Sequence, residues 1–297
     1  MDKEEIEQHL HRLSKTTRAV LELSDTIRMQ KARSEVWIPY SRAESILERL
    51  EELILFPKRN RMPNMVLTGN TNNGKTSLLS RFIKRYPIHP GVNGAIIPIV
   101  HISAPVALTH NVLYEKILDF LRVPYRINDT ASRKEYQVIH TLDVTETKMI
   151  IIDEFQEVLQ GNHKDQERFL AALKQLGNEL KIPIVAAGVY DVQKVMSSNP
   201  QMANRYEPED LPLWKDDREF AVLLSSFERV LPLKKPSYIH RLPLRAQILY
   251  MSEGILGEVS TILQRATIAA IKNGQEYIDQ AILESIDYVT PSMRHEV

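Results

Sequence analysis

The chain has 297 residues, 43% hydrophobic and 26% charged, a composition typical of globular proteins long enough to bury a substantial core. It has no cysteine, which excludes disulfides and thiolate metal sites, and no apolar run approaches the roughly 20 residues that span a bilayer. Because the charged start Met1–Glu5 is unlike a secretory signal, a cytoplasmic protein without a membrane segment is predicted. Basic and acidic residues both number 38, so any nucleic-acid-binding surface has to be local.

The first predicted element is helical and covers residues 1–34. Apolar residues recur along it every seven positions, at Ile6, Leu13, Val20 and Ile27. This half-apolar seam predicts a helix that docks on the protein's own body or on a partner. Pro39 ends the stretch, and a second amphipathic helix is predicted over residues 41–55.

A glycine-containing loop follows the first predicted strand, Met65–Thr68, and precedes a helical stretch. The loop matches the pattern G-x-x-x-x-G-K-[ST], in which glycines let backbone N–H groups turn toward phosphates. Lys75 would reach the β- and γ-phosphates and the Thr76 hydroxyl would hold Mg²⁺. The predicted nucleotide-binding residues are Gly69, Asn70, Thr71, Asn72, Asn73, Gly74, Lys75, Thr76 and Ser77.

A second motif is the apolar run Met149–Ile152, which ends in two carboxylates. The run predicts a strand buried on both faces of a parallel sheet, whose carboxyl edge is where such sheets bind ligands. Asp153 is suited to join Thr76 in the Mg²⁺ shell, and Glu154 to orient or deprotonate the attacking water. Because binding alone needs no water-activating group, the pair predicts a Mg-dependent ATPase that forms ADP and phosphate.

Strands and helices alternate after residue 65, which predicts an α/β fold: a parallel sheet with helices on both faces. Further strands are predicted at 95–102 and 182–188, and helices at 112–121 and 165–180. After Pro212 only helices are predicted, at 216–231, 243–253, 257–273 and 276–287. The chain therefore divides into a helical extension (1–34), a nucleotide-binding core (35–213) and a small all-α lid (214–297).

Four stretches carry a family resemblance: Trp37–Ala43, Arg61–Met65, Gly69–Thr76 and Ile152–Gln156. They resemble the TniB/TnsC family of AAA+ ATPases, and the resemblance covers about residues 35 to 285. That family regulates the transposition of Tn7-like and Tn5053-like elements, CRISPR-associated ones among them. The resemblance therefore implies an AAA+ P-loop core that binds ATP and Mg²⁺, followed by a helical lid.

The resemblance also implies partners. Family members assemble on double-stranded DNA without sequence readout, as a ring or a helical filament of identical subunits. They recruit a DDE transposase of the TnsB/TniA type, and a TniQ-type targeting protein is a usual partner. ATP hydrolysis, stimulated by the transposase, would disassemble the filament. The sequence fits either a ring or a filament, and it fits either CRISPR-guided or another kind of targeting.

Further site residues follow from the resemblance. Arg205, after the turn Asn199–Gln201, matches the place of an arginine that acts on a neighbour's γ-phosphate, and is predicted to be catalytic with Glu154. The alternative is an ordinary salt-bridged loop residue. Trp37–Tyr40 would border the adenine pocket or pack in a core. Two departures, Val189–Asp191 at the first sensor and Glu258 in place of the second sensor's arginine, predict slow basal hydrolysis.

Several basic segments are candidates for DNA phosphates or for solvated surface. By the resemblance, DNA would contact loops after the second strand: the stretch 103–110 with Arg126, Arg133 and Lys134. The stretch 229–252 holds Lys234, Lys235, His240, Arg241 and Arg245 without a carboxylate. It could face DNA, a partner protein, the neighbouring subunit's nucleotide or solvent, and the same alternatives apply to the basic segment Lys58–Arg61. Two other functions stay open: another AAA+ machine such as a helicase loader, and a scaffold in which ATP only joins subunits.

Overall fold

The computed structural model describes residues 3–92, 94–106, 108, 110–198 and 200–295. Contacts divide the chain into two compact units. The α/β unit is Arg42–Pro212, and the helical unit combines Met1–Ser41 with Leu213–Val297. In the described part of the chain, no helix has the length and apolar character needed to cross a membrane.

Helices and strands alternate through the α/β unit, and the helical unit contains helices from both ends of the chain. In chain order the elements are α1 (Lys3–Arg12), α2 (Lys15–Val20), α3 (Asp25–Arg33), α4 (Ser41–Ile54), β1 (Asn64–Gly69), α5 (Lys75–Ile83), β2 (His89–Gly91), β3 (Gly94–Ile96), β4 (Ile99–Ser103), α6 (His110–Phe120), α7 (Ala131–Val144), β5 (Met149–Asp153), a 3-10 helix (Phe155–Gln160), α8 (His163–Leu180), β6 (Ile184–Gly188), α9 (Tyr190–Ser198), α10 (Pro200–Ala203), β7 (Tyr206–Leu211), α11 (Arg218–Glu228), α12 (Leu244–Ser252), α13 (Leu256–Lys272), α14 (Gln280–Ser285) and a second 3-10 helix (Ser292–His295).

The α/β unit is built on a parallel five-stranded sheet in the order β4-β5-β6-β1-β7. Strands β1, β5 and β6 are buried along their whole length, as strands covered on both faces must be. Because the strands are parallel, their carboxyl ends meet at one edge, and β1 ends there between β6 and β7. The predicted α/β fold class is confirmed.

The sequence prediction of one strand over 95–102 is wrong. The structure instead has the surface hairpin β2–β3 and then β4, separated by Ile97 and Pro98. Pro98 has no N–H to donate to a sheet. Its carbonyl accepts hydrogen bonds from Lys148 N at 2.8 Å and Met149 N at 3.2 Å, and so joins the start of β4 to the start of β5.

The edge strand β7 is absent from the sequence prediction. It pairs only with β1, so its other side needs no apolar residues, and its sequence is Tyr-Glu-Pro-Glu-Asp-Leu. Arginines of α4 hold this acidic strand. Arg42 forms ion pairs with Glu209 at 2.8 Å and Asp210 at 3.0 Å, and Arg49 forms one with Glu207. This strand forms because it pairs with β1, and its own sequence lacks the alternation of apolar and polar residues by which a strand is predicted.

Helix α7 is a second element that the apolar pattern missed, and one of its residues corrects a candidate DNA contact. The Lys134 side chain is fully buried and its Nζ donates to Glu115 at 2.6 Å and to the Ile127 carbonyl at 2.9 Å. A buried, paired ammonium is part of the core and cannot bind DNA. Arg126 and Arg133 are exposed, and Arg133 lies 3.4 Å from the Asp129 carboxylate.

The N-terminal helices pack within the helical unit, so the predicted seam docks on the chain itself. Its register is partly wrong: Leu13 is buried, whereas Ile27 is 41% exposed. Ser14 and Ser24 start new helices and shift the helical phase, so polar residues become buried instead. His9 lies 3.0 Å from the Leu233 carbonyl, and the fully buried Arg28 bonds to Glu276 and, at 2.9 Å, to the Pro232 carbonyl.

All four C-terminal helices predicted from the sequence are present as α11–α14, although α14 covers only Gln280–Ser285 of the predicted 276–287. Helix α13 is the longest of them and buries an apolar stripe along one side: Val259, Ile262, Leu263, Ala266 and Ala270. After α13 the chain reverses direction at Gly274, whose φ of 73° favours glycine.

Ile38 belongs to the core of the helical unit, and the Tyr40 ring meets the Trp214 ring edge-on, with 5.1 Å between the ring centres. Both residues therefore have the packing role that was one alternative for Trp37–Tyr40.

Candidate nucleotide site

The predicted phosphate loop lies at the carboxyl edge of the sheet. Gly69 is the last residue of β1, and α5 begins at Lys75. Gly74 immediately precedes α5 with a φ of 89°, a conformation that a residue with a Cβ rarely adopts. Gly74 thus permits the turn from the loop into α5, and the unpaired N–H groups at the start of a helix are the ones that bind phosphate.

The loop is anchored to the end of β7. A Cβ on Gly69 would lie 3.0 Å from the Leu211 carbonyl oxygen and 3.2 Å from the Leu211 Cβ, so a larger residue would require the end of β7 to shift. The side-chain amide of Asn73, 2% exposed, donates to the carbonyls of Leu211 at 2.8 Å and Pro212 at 3.1 Å. Asn73 thus uses its side chain to fix the loop from inside.

Replacing Gly69 by alanine is expected to destabilise the protein by about 1–3 kcal/mol, because the added methyl would crowd Leu211, which is paired with Gly69 across β7 and β1. Gly177→Ala in α8 is the control, since its Cβ would lie 3.4 Å from Ile184 Cδ1, an ordinary contact. Alanine there is expected to stabilise by about 0.5–1 kcal/mol through helix propensity. Urea unfolding measures both, and equal stability of the Gly69 variant and the wild type would contradict the prediction.

Lys75 lies inside the loop and is only 8% exposed. Its Nζ donates to the carbonyls of Gly69 and Asn70, both at 2.9 Å. Burial lowers the Lys75 pKa, and the nearby carboxylates of Glu154 and Asp153 oppose that shift. Two of the three N–H donors thus fix the ammonium in position, and the third can bind a phosphate oxygen.

The predicted metal ligands meet at this edge. Thr76 Oγ1, in the first turn of α5, donates to Asp153 Oδ2 at 2.7 Å, and Asp153 ends β5 with 3% exposure. The other carboxylate oxygen, Oδ1, accepts from the Glu154 N–H at 2.8 Å. Hydroxyl and carboxylate oxygens are the ligands that Mg²⁺ prefers, and it commonly takes only one or two from the protein. The donor set therefore fits Mg²⁺, and the described residues contain no larger His, Asp or Glu cluster that would suit another metal.

Glu154 follows in the left-handed region, with φ 53° and ψ 38°, so the backbone turns sharply after β5. Its exposed carboxylate accepts a hydrogen bond from the Gln156 side-chain amide. The Gln156 Oε1 accepts from the Val189 N–H at 3.3 Å, which links the ends of β5 and β6. Sequence reasoning missed Gln156 as a site residue, although the string Asp-Glu-Phe-Gln places it one short turn after Glu154.

Arg205 lies away from this edge. Its carbonyl accepts from the Asn64 N–H at 2.9 Å, at the amino end of β1, whereas the phosphate loop follows the carboxyl end. Six residues of strand separate the two, roughly 17 Å at about 3.3 Å per residue. The guanidinium donates to Asn178 Oδ1 at 2.8 Å and forms no ion pair with a described carboxylate. Of the preceding turn, Asn199 lies outside the described residues.

The second-sensor position is occupied by a paired carboxylate. Glu258 lies in the first turn of α13 with 6% exposure. It accepts hydrogen bonds from Arg294 at 2.7 and 3.0 Å and from the Tyr288 hydroxyl at 2.5 Å. Both partners come from the C-terminal segment of the helical unit.

A parallel sheet in this strand order, a phosphate loop after β1 and an acidic pair after β5 define a P-loop protein of the AAA+ class. Within that class the chain belongs to the TniB family, whose sequence model, described as "Bacterial TniB protein", matches residues 28–216. No curated protein matches the sequence.

Solved structures share the fold at low identity. The ORC2 protein of Aeropyrum pernix, solved in ADPNP–ADP complexes, has a TM-score of 0.60 and 16% identity, covering 90% of this chain and 74% of that one. ORC1 of the same organism, solved with DNA, has a TM-score of 0.62 and 16% identity, with 90% and 69% covered. Cdc6p of Pyrobaculum aerophilum has a TM-score of 0.55 and 16% identity, with 86% and 68% covered.

Proposed function

We propose that this protein is a Mg-dependent ATPase that assembles on double-stranded DNA and regulates transposition. The observation that carries the ATPase assignment is the meeting of Lys75, Thr76, Asp153 and Glu154 at one edge of the sheet. A nucleotide-binding protein without turnover needs the first three of these residues but not the fourth. Membership of the TniB family supports the link to transposition.

Each residue of the site has a proposed part in hydrolysis. The loop Gly69–Ser77 surrounds the phosphates with backbone N–H groups, and Lys75 neutralises their charge. Thr76 and Asp153 would hold Mg²⁺, which supplies charge stabilisation on the phosphate oxygens. Glu154 orients the water and takes its proton, while Gln156 holds that carboxylate in place.

Hydrolysis is proposed to depend on assembly, because Arg205 cannot reach the phosphate loop of its own chain. In a ring or filament, Arg205 of one copy would stabilise the transition-state charge on the nucleotide of the next. Slow hydrolysis by the isolated chain fits both this requirement and the paired carboxylate at position 258.

The DNA and protein partners rest on the family. We propose non-specific binding to duplex phosphates, with Arg126 and Arg133 as exposed candidates; part of the candidate stretch 103–110 lies outside the described residues. The A. pernix ORC1 structure with DNA supports DNA binding by a protein of this fold. A DDE transposase of the TnsB/TniA type and a TniQ-type protein, CRISPR-guided or not, are the proposed partners of this cytoplasmic regulator.

The proposed functional division follows the sequence boundaries. The core 35–213 is proposed to bind nucleotide and DNA, with residues 35–41 packing in the helical unit, and 214–297 is proposed to act as a lid. The extension 1–34 supports the lid, because its helices pack in the helical unit.

Binding to a non-specific DNA duplex tests the proposal. With ATP or a non-hydrolysable analogue, affinity is expected to be at least about tenfold tighter than with ADP, because only the triphosphate joins neighbouring copies. Negative-stain images of the same samples should show rings or filaments with the triphosphates only. A monomer that hydrolyses ATP and ignores duplex in every nucleotide state would overturn the proposal and indicate a protein-remodelling ATPase. Acceleration of hydrolysis by a transposase would separate a transposition regulator from a helicase loader.

A further inference from the structure

A basic groove opens at the amino end of β1 and β7, within the α/β unit. It has a volume of about 310 Å³. Three arginines line it together: Arg59 and Arg61, from the segment that connects α4 to β1, and Arg205, from the residue before β7. The sequence leaves the segment Lys58–Arg61 open between DNA, a partner protein, the neighbouring subunit's nucleotide and solvent. The structure brings two of its arginines beside the predicted catalytic arginine.

The groove carries uncompensated positive charge. None of the three arginines forms an ion pair with a carboxylate in the described part of the chain. The Arg59 guanidinium lies 4.5 Å from the centre of the Phe56 ring and donates from Nε to the Arg61 carbonyl at 2.7 Å. Arg205 is held by the neutral amide of Asn178. Arg59 and Arg205 are therefore held by uncharged partners, and Arg61 is exposed, which leaves the charge of all three available to an anion.

The acidic residue in the groove does not compensate this charge. Glu207 is a lining residue, but its carboxylate is already paired with Arg49 of α4. Arg42, on the same helix, also has a structural role, because it forms ion pairs with Glu209 and Asp210 of the edge strand. The groove arginines differ from both because no acidic partner is provided for them.

The groove faces away from the chain's own phosphate loop. It lies where β1 begins, and the loop lies where β1 ends, roughly 17 Å further along the strand. A nucleotide bound at Lys75 therefore cannot place its phosphates in the groove of the same chain. An anion that enters it has to come from another molecule.

We propose that this groove receives the terminal phosphates of a nucleotide bound by a second copy of the chain, with Arg59 and Arg61 binding beside Arg205. The inference rests on the proposed ATPase function, in which Arg205 already acts on the next copy, and it adds Arg59, Arg61 and the groove that the three residues line. Guanidinium groups suit this task because their planar N–H donors bind phosphate oxygens in pairs. Since loop and groove are different surfaces at opposite ends of the strand, the contact joins copies head to tail, which produces rings or filaments.

Charge-removing variants test the two new residues first. Arg59→Ala and Arg61→Ala are each expected to lower ATP hydrolysis by the assembled protein at least about tenfold. Nucleotide affinity of the unassembled chain and the melting temperature should stay unchanged, because both side chains are exposed. Lys58→Ala is the matched control: it removes one positive charge from the same segment, does not line the groove, and is expected to hydrolyse ATP normally.

A mixing experiment shows whether the arginines act on another copy. Glu154→Gln keeps the groove but lacks the water-activating carboxylate, and Arg59→Ala/Arg61→Ala keeps the nucleotide site but lacks the groove. Each alone should be nearly inactive. In an equal mixture, half of the sites are intact and half of the grooves that face them are intact. Hydrolysis should therefore recover to about one quarter of the wild-type rate through head-to-tail contacts.

The outcomes separate this inference from the proposed function. If wild-type protein assembles and hydrolyses ATP but the mixture shows no recovery, the groove does not act on another copy and the inference fails alone. If the arginine variants hydrolyse ATP normally and instead bind duplex more weakly with a smaller salt dependence, the groove binds DNA phosphates and the inference is overturned. If the wild-type protein neither assembles nor hydrolyses ATP, the proposed function itself fails.

Discussion

Replacing Glu154 by glutamine is expected to lower kcat for ATP hydrolysis by about 10²–10⁴-fold and to leave the Kd for ATP nearly unchanged. The carboxylate is exposed at the end of β5, positioned by the turn at φ 53° and by the Gln156 amide. Glutamine has the same shape but cannot accept the proton of the attacking water. Lys75, Thr76 and Asp153 are untouched, so binding should persist while turnover stops. Phosphate release and a nucleotide titration measure the two quantities.

Glu157→Gln provides the matched control, because this carboxylate lies one turn later and accepts a hydrogen bond from Gln160 at 2.9 Å. It should hydrolyse ATP at the wild-type rate. The Glu154 variant should also release DNA more slowly, since hydrolysis is proposed to disassemble the protein. Unaltered turnover and DNA release in that variant would favour the scaffold function, in which ATP only joins subunits.

Replacing Lys75 by methionine is expected to weaken ATP binding about 100-fold and to abolish detectable hydrolysis. Hydrogen bonds between charged groups contribute about 1.5–3 kcal/mol each, and Lys75 is the cation placed inside the loop. Methionine fills a similar volume, so the cavity stays packed while the charge is lost. Titration with a fluorescent ATP analogue measures the affinity.

Lys84→Met, at the exposed end of the same helix α5, controls for the loss of one positive charge. It should bind ATP as the wild type does. Because the Lys75 ammonium also bonds to loop carbonyls, the unfolding free energy of both variants should be measured alongside. A Lys75 variant that is folded and binds ATP with wild-type affinity would contradict the assignment of the loop.

Features encoded by contiguous residues could be predicted from the sequence. The phosphate loop has fixed spacing because its own backbone surrounds the ligand, and the buried strand β5 reads as an unbroken apolar run. The C-terminal helices show the 3.6-residue period of one buried face, and α13 begins within one residue of the expected position. Local pattern and tertiary packing favour the same structure at each of these places.

The features that escaped prediction depend on residues far apart in the chain. Strand β7 is polar because it lies at the sheet edge, and its role as anchor for Gly69 and Asn73 follows only from its pairing with β1. Lys134 reads as a surface cation until α6 supplies Glu115. The sequence places Arg205 after the turn Asn199–Gln201, but only the fold shows that Arg205 lies beside Arg59 and Arg61.

The pairing of Arg28 with Glu276 has a consequence for how the protein is made. Their positions are 248 residues apart, so on the ribosome Arg28 emerges long before its partner exists. At about 5–20 residues per second, that interval lasts on the order of ten seconds to a minute. The α/β unit, complete at Pro212, can fold during this time, while the first three helices await the end of translation. A chain halted before position 276 should therefore have a folded α/β unit, whereas its first three helices should remain accessible to proteases or chaperones.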